Sequence, residues 1–224
     1  MTGKLIMSTK VINAGSPGDG TVVFLEKFDN VFSSVNQPAT VILSMGANDC
    51  INPHRRIPFL QFRKNLRTIY RMIQEKGFPL INIVPPLILF DEFVLKYPEM
   101  KSYVDNGLEE EYMKYVDFVR DLSEEMNLPY LDLYRIYSAV SPDQREDSFT
   151  RNKKNCGAFD GIHPTPHGHI LIGTMLYEMI HLLRYPTQTI LCSGDSLTHG
   201  YPLAGMGTVE GDNYPSALNR LFNN

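Results

Sequence analysis

Short apolar runs alternate along the chain with longer stretches in which apolar residues recur every three or four positions. Strand-like runs occur at 10–14, 41–45, 80–84, 130–133 and 189–193. The helix-like periodicity is clearest over 22–32, 59–73, 108–126 and 172–183. Continuous apolar strands that alternate with helices are typical of a parallel sheet covered on both faces. The pattern therefore predicts a three-layer α/β/α sandwich around a five-stranded parallel sheet.

The segment 87–107 departs from this alternation. It follows Pro85 and Pro86 at the end of a predicted strand, and it carries Phe90, Phe93, Tyr97 and Tyr103. Long connections at the active edge of a sheet are often substrate loops. We therefore expect this segment to contact substrate. The segment 141–159 is polar and charged, and the sequence indicates no role for it.

Size and charge limit the classes of partner. The chain of 224 residues is long enough for one domain over 1–224, and no stretch resembles a linker. A net charge of −4 gives no basic field for nucleic acid. No apolar run reaches the roughly 18 residues needed to span a bilayer, so stable membrane insertion is not expected. We expect a small-molecule partner, and the sequence indicates no oligomeric state.

Cysteine usage and the first residues favour a cytoplasmic location. Cys50, Cys156 and Cys192 cannot all pair within one chain, and their spacing matches no zinc site. Cys192 lies in a predicted strand, which favours a place in the core. Residues 1–10 lack the apolar core of a secretory signal.

Four polar motifs carry the candidate chemistry: 13–19, 44–49, 160–164 and Gly194-Asp195-Ser196. The last of them ends a predicted strand, at the edge where open α/β sheets place their sites. A serine nucleophile needs a base within hydrogen-bond reach and a third group that orients the base. His163 has an imidazole that titrates near neutral pH, and Asp160 lies three residues earlier, where a tight turn can bring it to the other ring nitrogen. Singly, such residues are commoner in turns and helix caps.

Together the four motifs resemble those of the SGNH (GDSL) family of serine esterases and lipases, over most of the chain. The resemblance implies a flavodoxin-like fold and an acyl-enzyme route in which Ser196 attacks, His163 moves the proton and Asp160 orients His163. It also implies an oxyanion hole made of the backbone N–H groups of Ser196 and Gly18 and the side-chain amide of Asn48. Gly18 is selected because the Asn-Ala-x-x-x-Gly-Asp spacing matches the family's second motif at that position. No cofactor or metal is implied.

The order of the motifs differs from that family. Its serine motif comes first, whereas here the order is Gly, Asn, His, Ser. The resemblance therefore implies a circular permutation, with the old termini joined near 184–188. The strand before Ser196 would then be central in the sheet, so activity should depend on docking of the last segment. A second departure is Ala47, where the family usually has glycine; it is tolerable if that position does not need a positive φ.

The resemblance implies hydrolysis of carboxylic esters, with short-chain acyl or acetylated carbohydrate esters as the expected substrates, and the small, polar loop at 201–212 favours a small acyl group such as acetyl. Fold alone does not choose among these substrates. One alternative is a catalytically weak or inactive binding module, in which the permutation has spoiled the geometry. Another is an acyltransferase or thioesterase that uses the same site.

Two other chemistries rank below Ser196. Cys50 follows Asn48-Asp49, but no histidine is paired with it in sequence. A metal site could combine the 160–163 motif with His167, His169 and Asp195, but the chain has no His-Glu-x-x-His arrangement. We therefore expect neither a thiol nucleophile nor a metal.

Overall fold

The computed structural model of the chain describes residues 8–141 and 143–224. Most of the stretch considered as a secretory signal lies outside these residues. The strands in the described residues are β1 (Lys10–Gly15), β2 (Ala39–Ser44), β3 (Leu80–Val84), β4 (Tyr130–Asp132) and β5 (Thr189–Gly194). Each predicted strand coincides with one of them, with bounds that differ by at most two residues.

Helices connect the strands. In chain order they are α1 (Thr21–Phe32), α2 (Ala47–Ile51), α3 (Phe59–Glu75), α4 (Phe90–Lys96), α5 (Lys101–Asp105), α6 (Leu108–Glu125), α7 (Leu133–Val140), α8 (Lys153–Cys156), α9 (Pro166–Leu183), α10 (Ser196–His199) and α11 (Tyr214–Asn223). The four segments of clearest helical periodicity correspond to α1, α3, α6 and α9, and the amphipathic stretch 214–222, also predicted to be helical, corresponds to α11. None of the helices in the described ranges combines the length and the apolarity that crossing a lipid bilayer requires.

The five strands form one parallel sheet in the order β1-β5-β2-β3-β4. The strand that comes last in sequence therefore lies between β1 and β2. Every residue of β2, β3 and β5 is buried. This burial on both faces explains why these strands are apolar throughout instead of alternating with polar residues.

Two hydrophobic clusters cover the two faces of the sheet. Leu43 belongs to the cluster that includes α1, α3 and α6, whereas Ile42, its neighbour in β2, belongs to the cluster that includes α7, α9 and α11. Successive residues of a strand point to opposite faces, so adjacent apolar residues serve different cores. Cys192 is fully buried in the second cluster, as a core residue. These two layers of helices confirm the predicted α/β/α sandwich.

Candidate active site

Ser196 is the first residue of α10, and one residue, Asp195, separates it from the end of β5. The turn between them needs Gly194, which has φ +149°, and a Cβ there would lie 2.3 Å from the carbonyl oxygen of Ser44. Asp195 caps α10 by accepting a hydrogen bond from the backbone N–H of Leu197 at 3.0 Å. This sharp turn presents Ser196 at the carboxyl edge of the sheet.

The histidine loop, residues 157–165, brings His163 to Ser196. The Nε2 atom of His163 lies 3.2 Å from Oγ of Ser196, and its Nδ1 atom lies 2.8 Å from Oδ1 of Asp160. The same Oδ1 accepts the backbone N–H groups of His163 at 2.9 Å and Ile162 at 3.1 Å. The Asp-x-x-His spacing therefore forms a turn closed on the Asp160 carboxylate, which orients the imidazole.

The protonation states of this pair follow from burial and from charged neighbours. Burial opposes ionisation of Asp160, but hydrogen bonds from His163 and Lys96 hold the pKa of this carboxyl well below its usual range. Burial lowers the pKa of His163; the Asp160 carboxylate opposes this, but together with the charges of Lys96 and Arg151 the net direction is down. At neutral pH the resting site therefore combines an ionised Asp160 with a neutral imidazole, which is the form that can accept a proton.

Lys96 was not identified from the sequence. It ends α4, and its Nζ donates to Oδ2 of Asp160 at 2.6 Å. Its position in the 87–107 segment was only a weak indication of a role in the site. Nothing in the sequence distinguishes Lys96 from Lys101 or relates it to Asp160, 64 positions away.

The predicted oxyanion residues lie beside Ser196. Gly18, with φ +78°, and Asn48 line the same cavity as Ser196 and His163. Asn48 lies in α2, and its Nδ2 donates to the carbonyl oxygen of Asp19 and to Oδ2 of Asp195, both at 3.1 Å. An incoming oxyanion would have to share one of these two N–H groups.

The alanine at position 47 fits its surroundings. Ala47 is the first residue of α2, in helical conformation, whereas the preceding residue, Gly46, has φ +120°. The glycine that needs a positive φ is thus present, and the methyl group of Ala47 causes no backbone strain.

The residues weighed for thiol or metal chemistry lie in other environments. Cys50 is buried, and desolvation raises its pKa to about 12, so the thiol stays protonated. His169 is fully buried, and its Nδ1 accepts the backbone N–H of Tyr214 at 3.2 Å. Within residues 8–141 and 143–224, no group of three or more His, Cys, Asp or Glu side chains is arranged to hold a metal ion. His199 contacts the carbonyl oxygen of Gly15 at 3.0 Å.

A cavity of about 430 Å³ opens in front of Ser196. Beyond Ser196 and the oxyanion residues, its wall includes Asn52, His54, Phe93, Tyr97, Glu99 and Tyr201. Three of these come from 87–107, whereas Tyr201 is the only lining residue from the described loop 201–212. The wall combines aromatic rings with amide, imidazole and carboxylate groups, and its volume is that of a small-molecule site.

The chain was compared with models of known protein families. The sequence model described as the GDSL-like Lipase/Acylhydrolase family matches residues 3–171, about three quarters of the 224 residues. The chain belongs to this family. This member of the GDSL-like family is therefore a carboxylic ester hydrolase, as predicted. The matched region ends within α9 and does not include Ser196.

Solved structures share its fold. The acetyl xylan esterase AlAXEase is 19% identical with a TM-score of 0.56, and the match covers 75% of this chain and 79% of that one. A variant of Axe2, an acetyl xylan esterase from Geobacillus stearothermophilus, is 16% identical, with 73% and 68% covered and a TM-score of 0.54. A GDSL-like lipase from Bacteroides thetaiotaomicron is 15% identical, with 74% and 73% covered and a TM-score of 0.55. No curated protein sequence matches the chain.

Proposed function

We propose that this hydrolase cleaves its ester through a covalent acyl-enzyme formed on Ser196. The observation that carries the proposal is the continuous contact from Oγ of Ser196 to His163, 3.2 Å, and from His163 to Asp160, 2.8 Å. His163 takes the hydroxyl proton as Oγ bonds to the ester carbon, and then gives that proton to the departing alkoxide as the ester C–O bond breaks. Water then attacks the acyl carbon in the same way, with His163 accepting its proton and returning it to Oγ of Ser196. This step releases the acid and restores the serine.

The oxyanion of each tetrahedral intermediate needs donors that are already aimed at it. The backbone N–H groups of Ser196 and Gly18 and the amide of Asn48 are assigned this role. The support is their shared position on the cavity wall with His163. The bonds to Asp19 and Asp195 hold the Asn48 amide in place, and the oxyanion would share one of its two N–H groups.

The substrate class that fits the cavity best is a short-chain ester, above all an acetyl group on a carbohydrate. The rings of Tyr97 and Tyr201 offer faces against which a sugar ring can pack, and Asn52 and Glu99 offer hydrogen-bonding groups. Two of the structural relatives described above are acetyl xylan esterases by name. At 19% identity or less, this structural likeness indicates a shared fold only. The substrate class is therefore inferred from the residues that line the cavity.

The chain order is proposed to be a circular permutation of one domain over 1–224. If β5 is counted first, the order β1-β5-β2-β3-β4 becomes 2-1-3-4-5, the order of flavodoxin-like sheets. Asn223 also exchanges two hydrogen bonds with the backbone of Thr9, at 2.9 and 3.0 Å, so α11 ends beside the start of β1. A direct connection from α11 to β1 would restore the family's motif order, with the present connection at 184–188 opened.

Substitution of Ser196 by alanine tests the mechanism. Hydrolysis of p-nitrophenyl acetate should fall at least about a thousandfold, because the nucleophile is removed. Ser102→Ala, an exposed serine in α5, is the matched control and should keep full activity. Undiminished hydrolysis by Ser196→Ala would rule out the proposed nucleophile.

The same assay separates the alternatives. Acetate, butyrate and octanoate esters, compared with acetylated xylo-oligosaccharides, measure the acyl and alcohol preferences. Labelling of Ser196 by a fluorophosphonate distinguishes an activated serine from a folded but inactive binding module. Formation of a new ester when an alcohol is added would favour an acyltransferase.

A further inference from the structure

The second oxygen of the Asp160 carboxylate is held by a lysine from another element. Oδ1 faces the imidazole and the N–H groups of the histidine loop, while Oδ2 accepts a hydrogen bond from Nζ of Lys96 at 2.6 Å. Nζ lies 3.5 Å from Nδ1 of His163. We propose that Lys96 is a positioning residue that fixes Asp160 and, by its charge, keeps His163 in its neutral form down to more acidic pH. This inference rests on the proposed role of His163.

Lys96 is well held for this role. The Asp160 side chain is 2% exposed and the Lys96 side chain 20% exposed, so water screens their attraction only in part. The rings of Tyr97 and Tyr201 lie 5.4 Å and 5.6 Å from Nζ, within cation–π range. The ammonium group is thus confined between two cavity-lining aromatic rings and one carboxylate.

The helix that carries Lys96 is attached to the histidine loop and to α8. The backbone N–H of Leu89, just before α4, donates to the carbonyl oxygen of Gly161 at 2.8 Å, and the buried carboxylate of Glu92 accepts the N–H of Lys153 at 3.2 Å. Glu92 and Lys96 lie four positions apart, on one face of α4. Lys96 therefore contacts Asp160 from a helix that is docked on neighbouring elements. The 87–107 segment contributes both to the cavity wall and to the contacts that hold Asp160 and His163.

The charged and titratable groups around His163 determine whether each neighbour raises or lowers its pKa. Asp160 lies on its own loop and favours the imidazolium form. Lys96 from α4 and Arg151, whose Nε is 3.7 Å from Oδ2 of Asp160, oppose it. His169 from α9 is neutral because burial lowers its pKa to about 3. Burial raises the pKa of Tyr97, so its ring stays uncharged at ordinary pH.

In the resting site the Asp160 carboxylate is paired with Lys96, with Arg151 3.7 Å away, while His163 is neutral. When His163 accepts the serine proton, a further cation shares that carboxylate, and repulsion from Lys96 and Arg151 opposes the imidazolium. The charge of Lys96 thus makes His163 a stronger acid toward the leaving group and extends the neutral, active form to lower pH. Removal of that charge should raise the pKa of His163.

The test is the pH profile of kcat/KM for ester hydrolysis in Lys96→Met and Lys96→Gln. We expect the acid limb to move up by about 0.5 to 1 pH unit in both, and kcat/KM at pH 8 to fall about tenfold as Asp160 loses a partner. Lys96→Arg keeps the charge and should keep the acid limb of the wild type. Lys101→Met, which removes an exposed lysine paired with Asp105 in α5, is the control and should change nothing.

A spectroscopic measurement keeps this test separate from the proposed function. In a Ser196→Ala background, titration of the His163 ring nitrogens by NMR should show a higher pKa when Lys96 is also replaced by Met or Gln. If both neutral variants keep the wild-type acid limb and the wild-type His163 titration, the inference is overturned. Activity that survives Ser196→Ala would instead contradict the proposed function, while the NMR titration would still decide the role of Lys96.

Discussion

Asn48 uses both of its side-chain N–H groups in the resting site, one on the carbonyl oxygen of Asp19 and one on the carboxylate of Asp195. A donor that is pre-oriented in this way should act mainly on the transition state. Asn48→Ala should lower kcat about a hundredfold to a thousandfold and leave KM within about threefold. Steady-state kinetics with p-nitrophenyl acetate measure the split. Asn30→Ala, in the exposed end of α1, is the control.

A loss confined to KM would contradict the oxyanion role of Asn48. It would show that the amide binds the ground state and the transition state equally well.

Asp195 carries a consequence for stability. Burial raises the pKa of Asp195 from 3.8 to about 7, and the charges of Asp49 and Asp19 act in the same direction. The folded chain thus binds this proton more tightly than the unfolded chain. The stabilisation is complete below about pH 4 and is lost as pH rises toward 7, with a slope of up to about 1.4 kcal/mol per pH unit.

Asp195→Asn tests this sign, because asparagine cannot ionise but can still accept the Leu197 N–H. The free energy of unfolding of the variant relative to wild type should increase between pH 4 and 8, measured by urea titration at each pH. A difference that is independent of pH would show that Asp195 keeps an ordinary pKa in the folded chain.

Asp160 and His163 are three positions apart, so their contact was predictable from the Asp-x-x-His spacing. Ser196 lies 33 positions from His163, and their pairing was predicted from the resemblance of the four motifs to the family. The role of Lys96 could not be predicted from the sequence, because its contact is not local. Its partner lies 64 residues away, and the two meet only because α4 docks on the histidine loop. Lysine is also common on solvent-exposed faces, so its type carried no signal.

At the scale of elements, the strands and the long helices were predictable because two or more turns, or a buried strand, leave a clear hydrophobic pattern. The short helices α4, α5 and α7 were not predicted. They have five to eight residues, too few to show a period of 3.6. α4 is held by its contacts with the histidine loop, which are tertiary and leave no local pattern.

Two glycines of the 153–163 region allow a matched test of α4 docking. Gly161 has φ +83°, and a Cβ there would lie 2.5 Å from the carbonyl oxygen of Leu89. Gly157 has a similar φ of +74° with nothing within 4 Å of its Cβ position. Both alanine variants should lose about 1 kcal/mol from backbone strain. Only Gly161→Ala should push α4 away from the histidine loop.

Gly161→Ala should therefore show a lower melting temperature than Gly157→Ala and at least about a tenfold lower kcat/KM. Thermal melts and ester hydrolysis measure the two effects. Equal losses in the two variants would show that α4 does not need close contact with Gly161.

At the scale of the whole molecule, the exchange of hydrogen bonds between Thr9 and Asn223 predicts that the chain can be reconnected. A rearranged chain that starts at 185, joins 224 to 8 by a short linker and ends at 184 should form the same sheet and keep its esterase activity within about threefold. Circular dichroism and p-nitrophenyl acetate hydrolysis are the measurements.

The control rearrangement opens the chain at Ile83, inside the buried strand β3, and should not fold. A rearranged chain that folds when opened after 184 but has lost activity would contradict the proposal that this order is equivalent to the present one.

The central place of β5 has a consequence for how the protein is made. The ribosome releases β1 to β4 before residues 189–194, so the nascent chain carries a gap where β5 will pair with β1 on one side and β2 on the other. Two strand edges with unpaired N–H and C=O groups are exposed throughout that interval, and such edges invite pairing with other chains. Insertion of the last strand closes the gap and brings Ser196 to His163 in one event. The protein therefore gains its activity and its protection from aggregation in the same step, after the last strand has been translated.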